Sequence, residues 1–180
     1  MNKIFQSYCI SSLKSCGNNF HISYDSSILG LNHIIVGNNF NAQSRLKLRA
    51  FDYYEGFKYN PTITIGDNFY AGTDCHIGAI GKIMIGNNVT LASKVTIIDH
   101  SHGIGDYSDI KIPVLKRKLG RKGDILIGNN VWICEGAVIL SGVNIGKNSI
   151  IGANAVVTHD IPANCIAVGI PAKVIKKDLA

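Results

Sequence analysis

Two histidines separated by one residue, His100 and His102, stand where a regular sequence pattern stops, in the segment "IIDHSHG". The imidazole titrates closer to neutral pH than other side chains, so a histidine facing a cleft is suited to general-base chemistry. Alternate residues of an extended strand face the same side, which leaves either histidine as the candidate base. Asp99, Asp106 or a backbone carbonyl would orient the ring.

Zinc binding is a second chemistry open to the same residues. Three imidazoles and one open coordination position make a hydrolytic zinc site. His76 would join His100 and His102 in such a site. Two of these ligands would have to come from one H-x-H strand, so we expect no bound metal and keep zinc as the weaker alternative.

The chain of 180 residues has a formal net charge of +6, and basic surfaces attract phosphates, nucleic acids and anionic lipids. Neither of the two basic stretches contains interleaved aromatic residues or a nucleic-acid-binding motif, so we predict no nucleic-acid partner. We interpret both as solvated, with one available to a phosphorylated ligand. The first comprises Lys111, Lys116, Arg117, Lys118, Arg121 and Lys122, and the second comprises Lys173, Lys176 and Lys177.

Composition favours a single domain with its own core, because 46% of the 180 residues are hydrophobic. The chain has no signal-peptide core and no apolar run of the roughly 18 residues that a membrane span needs, so we expect a soluble, cytoplasmic protein. The cysteines are odd in number and without CxxC spacing, which predicts free thiols; they are Cys9, Cys16, Cys75, Cys134 and Cys165.

A six-residue repeat must position the candidate site. A period of six fits neither a helix nor an isolated strand, and with Gly, Asn, Asp or Ser between the apolar positions it predicts a short strand plus a turn. One repeat cannot bury its own side chain, so the copies must wind into stacked coils. The first residue of each repeat is aliphatic: Ile127, Ile133, Ile139, Ile145, Ile151 and Val157. Two positions before the next repeat begins stands a second small or aliphatic residue: Val131, Ala137, Val143, Ser149, Ala155 and Ile161.

The same phase continues upstream, for example at Ile85, Leu91 and Ile97, and slips by two residues in "IGAIGKIMIGNN", where we expect a bulge or an enlarged turn. Two segments lack the phase, 45–60 and 100–124, and long insertions of this kind are usually functional or mobile. We therefore predict one domain, 1–180, with early coils at about 17–99, an extended loop at 100–124, later coils at 125–170 and a C-terminal tail at 171–180.

The hexads, the preceding "IIDHSHG" and the ending "GIPAKVIK" resemble the hexapeptide-repeat acetyltransferases, whose fold is an all-β, left-handed parallel β-helix. Within that family the chain is most similar to the sugar O-acetyltransferases of capsule and O-antigen biosynthesis and the maltose, galactoside and nodulation-factor enzymes. The match is continuous from about Ile63 to Lys177. It implies about six coils and transfer of an acetyl group from acetyl-CoA to a sugar hydroxyl, with a histidine as general base.

The resemblance also implies roles for particular residues. Counting without gaps from Ile85, the catalytic histidine falls on His102, and His100 is the alternative. Trp132 is expected to line the cleft for donor and acceptor. The pantetheine groove falls on Ala153 and Thr158, and the CoA phosphates on Lys173 and Lys176. Family members are homotrimers with the active cleft between subunits, so a homotrimer is implied here.

Three departures leave the acceptor open: there is no long amino-terminal helical segment, the polar acceptor contact after "FYA" falls on Gly72, and the insertion is longer. A sugar-nucleotide N-acetyltransferase is the alternative enzyme, since an amine acceptor needs less help from a base. A zinc-dependent, carbonic-anhydrase-like β-helix and a scaffold without catalysis are weaker alternatives. The hexad alone does not decide among them.

Overall fold

The computed structural model describes residues 2–178 as the predicted left-handed parallel β-helix. The chain winds around a three-sided prism, and each side is a parallel sheet in which strands of successive coils pair. The first sheet contains β1 (Ser15–Cys16), β4 (Ile34–Val36), β9 (Thr62–Ile65), β12 (Lys82–Ile85), β17 (Ile125–Ile127) and β20 (Asn144–Ile145).

The second sheet is longer and ends in an antiparallel strand. It contains β2 (His21–Ile22), β5 (Asn41–Ala42), β10 (Tyr70–Ala71), β13 (Thr90–Leu91), β18 (Trp132–Ile133), β21 (Ile150–Ile151), β23 (Ile166–Val168) and β24 (Lys173–Lys176). The third contains β3 (Ser27–Leu29), β6 (Lys47–Ala50), β11 (His76–Ala79), β14 (Thr96–Ile98), β19 (Val138–Ile139) and β22 (Val156–Val157).

Side chains of like shape stack from coil to coil inside the prism. Ile97, Ile139 and Val157 are in register on three successive strands of the third sheet and are fully buried. All twelve residues predicted to face the core between 127 and 161 are buried. Burying such an aliphatic side chain contributes about 1.5–3 kcal/mol, so the ladders supply the main stabilisation of the fold.

One corner carries a ladder of asparagines. Asn68, Asn88 and Asn130 have φ near +57°, a left-handed conformation that asparagine tolerates better than most residues. The side-chain amide of Asn68 donates to the Asn88 side chain at 2.8 Å, and that of Asn88 donates to Asn130 at 2.9 Å. The same bond continues to Asn148 and Asn164. The corner residues of the hexads thus join the coils as well as turn the chain.

Two hairpins leave the prism. The first pairs β7 (Tyr53–Tyr54) with β8 (Phe57–Lys58), and the second pairs β15 (Ser101–His102) with β16 (Leu119–Gly120). Between β15 and β16 lie short 3-10 helices at Tyr107–Lys111 and Val114–Lys116, and a third occurs at Leu31–His33. The second hairpin lies within the predicted insertion.

The structure corrects three details of the sequence-based description. Helix α1 (Asn2–Ser12) covers the first coil and was not predicted. The first excursion is shorter than 45–60, because β6 (Lys47–Ala50) continues the third sheet with buried Leu48 and Ala50. The tail after Gly169, predicted as a short helix or an extended segment, turns back as β24 and adds an antiparallel strand to the second sheet, which was not predicted. The five cysteines are free, as predicted.

The slip in the repeat is an enlarged corner. Strand β11 ends at Ala79 and β12 begins at Lys82, so Ile80 and Gly81 form the connection. Among residues 2–178 no helix is long and apolar enough to cross a membrane.

Candidate functional site

His100 and Asp99 form a buried pair directly after strand β14. The Nδ1 atom of His100 lies 3.0 Å from Oδ1 of Asp99, and Asp99 is fully buried. A carboxylate accepts hydrogen bonds, so Nδ1 carries the proton and Nε2 is left as the basic nitrogen. The imidazole side chain is 12% exposed. Phe51 packs edge-on against the ring at 5.4 Å, which further limits its rotation.

The enlarged corner of the preceding coil holds Asp99 in place. The backbone N–H of Ile80 donates to Oδ1 at 2.9 Å, and that of Gly81 donates to Oδ2 at 2.8 Å. A buried carboxylate is costly unless it is hydrogen-bonded, and here two backbone donors and the imidazole satisfy it. The slip in the hexad phase therefore provides two N–H groups that orient Asp99, which in turn orients His100.

His100 lines a cavity of about 240 Å³ at the corner where the third sheet gives way to the first. The prism contributes aliphatic and hydroxyl side chains, and the segment 100–124 contributes the rest of the wall, including His100. The lining residues are Ile98, His100, Ser101, Ile104, Gly120, Arg121, Lys122, Leu140, Ser141 and Thr158. An apolar cavity with a few convergent polar groups and one oriented histidine is typical of a catalytic site.

The first hairpin holds the insertion against the prism. The hydroxyl of Tyr54 donates to the carbonyl of Leu115 at 2.7 Å, and Lys116 pairs with Glu55 at 2.7 Å. The backbone N–H of Leu119 donates to the hydroxyl of Tyr59 at 2.8 Å. These contacts position β16 and the following Arg121 and Lys122, and so complete the wall of the cavity.

His102 has a different environment from His100. It is exposed on β15, its Nδ1 atom lies 3.3 Å from the hydroxyl of Tyr54, and the two rings pack edge to face. His102 is not among the residues that line the cavity. The strand is interrupted at Asp99 and His100, so the rule that alternate residues share a face does not apply across this segment.

His76 is a neutral histidine next to His100. A side chain at Gly78 would contact both the Nε2 atom of His76 and the Cε1 atom of His100, at 3.4 Å in each case. Burial lowers the pKa of His76 to about 4, and the nearby charges of Lys47 and Arg49 add to the effect. Its Nε2 atom is buried without a hydrogen-bond partner. Within residues 2–178 no group of three His, Cys, Asp or Glu side chains has metal-binding geometry.

The residues predicted to contact CoA are spread over the molecule. Thr158 lines the cavity with His100. Trp132 is half-exposed on the second sheet, where it pairs with Thr90 and Ile150. Ala153 is exposed at the turn between β21 and β22, and Lys173 and Lys176 are exposed on β24. A single chain therefore brings together only Thr158 and His100 from the predicted set.

Several cavity residues were not singled out from the sequence. Arg121 and Lys122 were noted only as members of a basic stretch, while Leu140 and Ser141 lie in an ordinary hexad. Gly81 carried a usable signal, since it stands at the phase slip. A Cβ atom there would collide with the guanidinium of Arg121, so glycine allows Arg121 to lie directly over this corner.

Comparisons with known proteins agree with this architecture. The model of the bacterial transferase hexapeptide family, described as six repeats, matches residues 124–159. A maltose O-acetyltransferase from Clostridium difficile has a solved structure that superposes with a TM-score of 0.61 at 30% identity, covering 98% of this chain and 81% of that chain. An N-acyltransferase from Bacillus cereus, AntD, solved in complex with dTDP and 3-hydroxybutyryl-CoA, superposes with a TM-score of 0.76. It covers 95% of this chain and 86% of that chain, and at 20% identity it shows the fold alone.

Curated relatives match over shorter segments. The putative lipopolysaccharide biosynthesis O-acetyl transferase WbbJ of Escherichia coli is 43% identical over 91 residues, which is 48% of this chain and 46% of that protein. The galactoside O-acetyltransferase of Escherichia coli is 57% identical over 53 residues, 29% of this chain and 26% of that protein. The chain thus spans less than half the length of the curated relatives that it matches.

Proposed function

This chain belongs to the hexapeptide-repeat acetyltransferase family, and from that premise we propose that it transfers an acetyl group from acetyl-CoA to a hydroxyl group of a sugar. The observation that carries the proposal is the pair of His100 and Asp99 at the wall of the cavity, with Nδ1 bound to the carboxylate. An alcohol is a weak nucleophile at neutral pH until a base removes its proton in the transition state. His100 is in place to be that base.

We propose His100 rather than His102 because only His100 lines the cavity and has a buried carboxylate partner. As the sugar oxygen attacks the thioester carbonyl, Nε2 of His100 takes the hydroxyl proton. Asp99 stabilises the imidazolium that forms and keeps Nε2 directed away from the carboxylate. The proton then passes to the departing sulfur, which leaves as the thiol of CoA.

Acetyl-CoA, when bound, supplies the acetyl thioester. The residues present fit such an arm, because Ile98, Leu140 and Ile104 give the cavity apolar walls and Thr158 adds a hydroxyl group. Lys173 and Lys176 are exposed at the end of the second sheet and are proposed to contact the CoA phosphates. Trp132 and Ala153 are proposed to line the donor groove.

We also propose that the protein is a homotrimer, because the residues predicted to contact CoA lie far apart within one chain. Trp132, Ala153, Lys173 and Lys176 do not line the cavity that His100 lines within one chain. A neighbouring copy would bring such residues to the base of the first, which is how a cyclic assembly completes a shared site. We further propose that the enzyme acts in the cytoplasm, on precursors of a cell-surface polysaccharide.

Release of CoA thiol from acetyl-CoA over a panel of sugars tests the reaction, with His100→Ala compared with its matched control His102→Ala. His100→Ala should lower kcat roughly 10²–10⁴-fold, the usual contribution of a general base, and His102→Ala should retain most of the activity. The reverse ranking would move the base to His102. Absence of both turnover and acetyl-CoA binding would overturn the proposed function.

The fold shared with the N-acyltransferase AntD keeps transfer to a sugar amine as the second candidate. Matched amino and hydroxy sugars distinguish the two reactions. An amine needs less help from a base, so under N-acetylation His100→Ala should have a much smaller effect.

A further inference from the structure

We propose that the acceptor carries a negatively charged group, a carboxylate or a phosphate, close to the hydroxyl that is acetylated, and that Lys122 binds it. This inference rests on the proposed function and concerns the same cavity. Its starting point is the charge of the cavity wall, where Arg121 and Lys122 line the cavity together with His100 and no carboxylate does.

The two cations differ in their partners. Arg121 forms an ion pair with Asp124, and its guanidinium lies over Gly81. Its charge is therefore largely compensated. Over the part of the chain that the structure describes, the ammonium of Lys122 has no carboxylate within 4.0 Å. Lys122 is therefore the one charged side chain lining the cavity that has no ion-pair partner in the described residues, which suits it to bind an anionic group.

The backbone of Lys122 is held in place next to the cavity. The hydroxyl of Ser141, itself a lining residue, accepts a hydrogen bond from the N–H of Lys122 at 2.8 Å and one from the N–H of Gly123 at 3.2 Å. A mobile surface lysine would contribute little binding energy. Here the side chain of Lys122 is exposed, but it extends from a backbone that a residue of the prism fixes at the edge of the cavity.

The phosphates of CoA are the other possible source of negative charge, and the geometry argues against them. Arg121 and Lys122 line the same cavity of about 240 Å³ as His100. The reacting thioester must reach His100, and the extended pantetheine arm separates the thioester from the phosphates of CoA. A cation in the cavity of the base is therefore assigned to the acceptor, and the CoA phosphates are assigned to Lys173 and Lys176 instead.

Binding to the full-length protein saturated with CoA tests the proposal without requiring turnover. Isothermal titration would compare sugars of one ring type that differ in charge: methyl glucoside, methyl glucuronoside and glucose 6-phosphate, with the galactose series alongside. At least one anionic sugar should bind roughly tenfold or more tightly than its neutral counterpart, as expected for a charge-assisted hydrogen bond. Higher ionic strength should reduce the difference.

Lys122→Gln should abolish the preference for the anionic sugar, and Lys111→Gln is the matched control. Lys111 is an exposed lysine of the same insertion that does not line the cavity, so its replacement should leave the preference intact. Equal binding of neutral and anionic sugars, no detectable binding of any anionic sugar, or a preference that survives Lys122→Gln would each overturn the proposal.

Two further measurements separate the possible failures. If Lys122→Gln weakens binding of CoA but not of acetylpantetheine, the lysine serves the donor phosphates and the proposal is wrong. Turnover assays report on the proposed function independently. Acetylation of neutral and anionic sugars at equal rates, with neither rate changed by Lys122→Gln, leaves the acetyltransferase standing and overturns the anionic acceptor. Lys122-dependent binding of anionic sugars without any acetyl transfer supports the anion site and overturns the acetyltransferase.

Discussion

The stacked coils and the insertion that interrupts them, residues 100–124, are held together in different ways. In the coils buried side chains pack between those of the coils above and below, as Ile97 does between Ile77 and Ile139. In the insertion Ile104, Ile110 and Leu115 remain largely exposed, and order comes from polar contacts with the first hairpin. A change in the coils therefore disturbs packing, whereas the insertion can vary in sequence without threatening the fold.

The cavity lies where these two regions meet and needs both. The coils supply the buried Asp99, the corner that binds it and the apolar wall, and the insertion supplies Arg121 and Lys122. We infer that the chemistry depends on the coils, whose Asp99 holds His100 at the start of the insertion, and that acceptor choice depends on the far end of the insertion. Substitutions in each region test this division, and the largest effect is expected at Asp99.

Asp99→Asn should lower kcat roughly 10²–10⁴-fold if the coil side carries the chemistry, because an amide stabilises the imidazolium of His100 poorly and permits the wrong tautomer. The control is Asp106→Asn, the same replacement in the insertion, where the carboxylate caps the N–H of Tyr107. That variant should stay within about twofold of the wild type.

Asp99→Asn also turns an amide N–H₂ toward the backbone N–H of Ile80 or Gly81, which should cost about 1–3 kcal/mol of stability. The kinetic comparison therefore uses protein shown by circular dichroism to be folded. If Asp99 had a merely structural role, kcat per folded molecule would be unchanged in Asp99→Asn, whereas loss of the carboxylate partner of His100 should lower it.

Core packing gives the second test of the comparison. Ile139→Ala should reduce the free energy of unfolding by about 2–5 kcal/mol, since the residue is fully buried between Ile97 and Val157. Ile110→Ala in the insertion is chemically the same change at an exposed site and should cost no more than about 0.5 kcal/mol. Urea denaturation measures both, and similar losses would mean that the insertion is part of the cooperative core.

The structure of the coils could be predicted from the sequence, whereas that of the insertion could not. Buried positions such as Ile133 and Ile139 repeat every six residues with turn-forming residues between them, so the coils can be predicted from one period. The enlarged corner at Ile80 and Gly81 was visible as a phase slip. Its role was not, because the partner Asp99 lies 18 to 19 residues further along the chain, on the next coil.

The insertion has no period, so its contribution to the cavity could not be predicted. Lys122 reaches its place through the hairpin of β15 and β16 and a hydrogen bond to Ser141, contacts that leave no local pattern in the sequence. Counting along the family pattern pointed first to His102, with His100 as the alternative. The structure puts His100 in the cavity because the strand is interrupted between Ile98 and Ser101. Helix α1 lacks acidic residues in its first turn and basic residues in its last, which removes the usual end signals.

The third test uses His76, which lies on β11 next to His100. Its pKa is about 4 in the folded protein and 6.5 in the reference state, so the unfolded chain binds the extra proton between these values. Stability should therefore fall as the pH drops from about 6.5 toward 4 and stay flat with respect to this group at higher pH. Relative to His76→Gln, the wild type should lose roughly 1–3 kcal/mol over that range in denaturant titrations. A constant difference between the two proteins would show that His76 takes up its proton equally in both states.

The smallest expected effect concerns the contact between the hairpin and the insertion. Tyr54→Phe removes a hydroxyl that donates to Leu115 and lies beside His102, while the ring can keep its packing. A net loss of about 0.5–1.5 kcal/mol is typical for one such bond, and here it should appear as faster hydrogen exchange of amides in 100–124 only. Global unfolding in urea should not change, because the coils do not depend on this contact. If exchange in the coils also accelerates, the two regions open together and the division between a rigid coil side and an independently variable insertion is wrong.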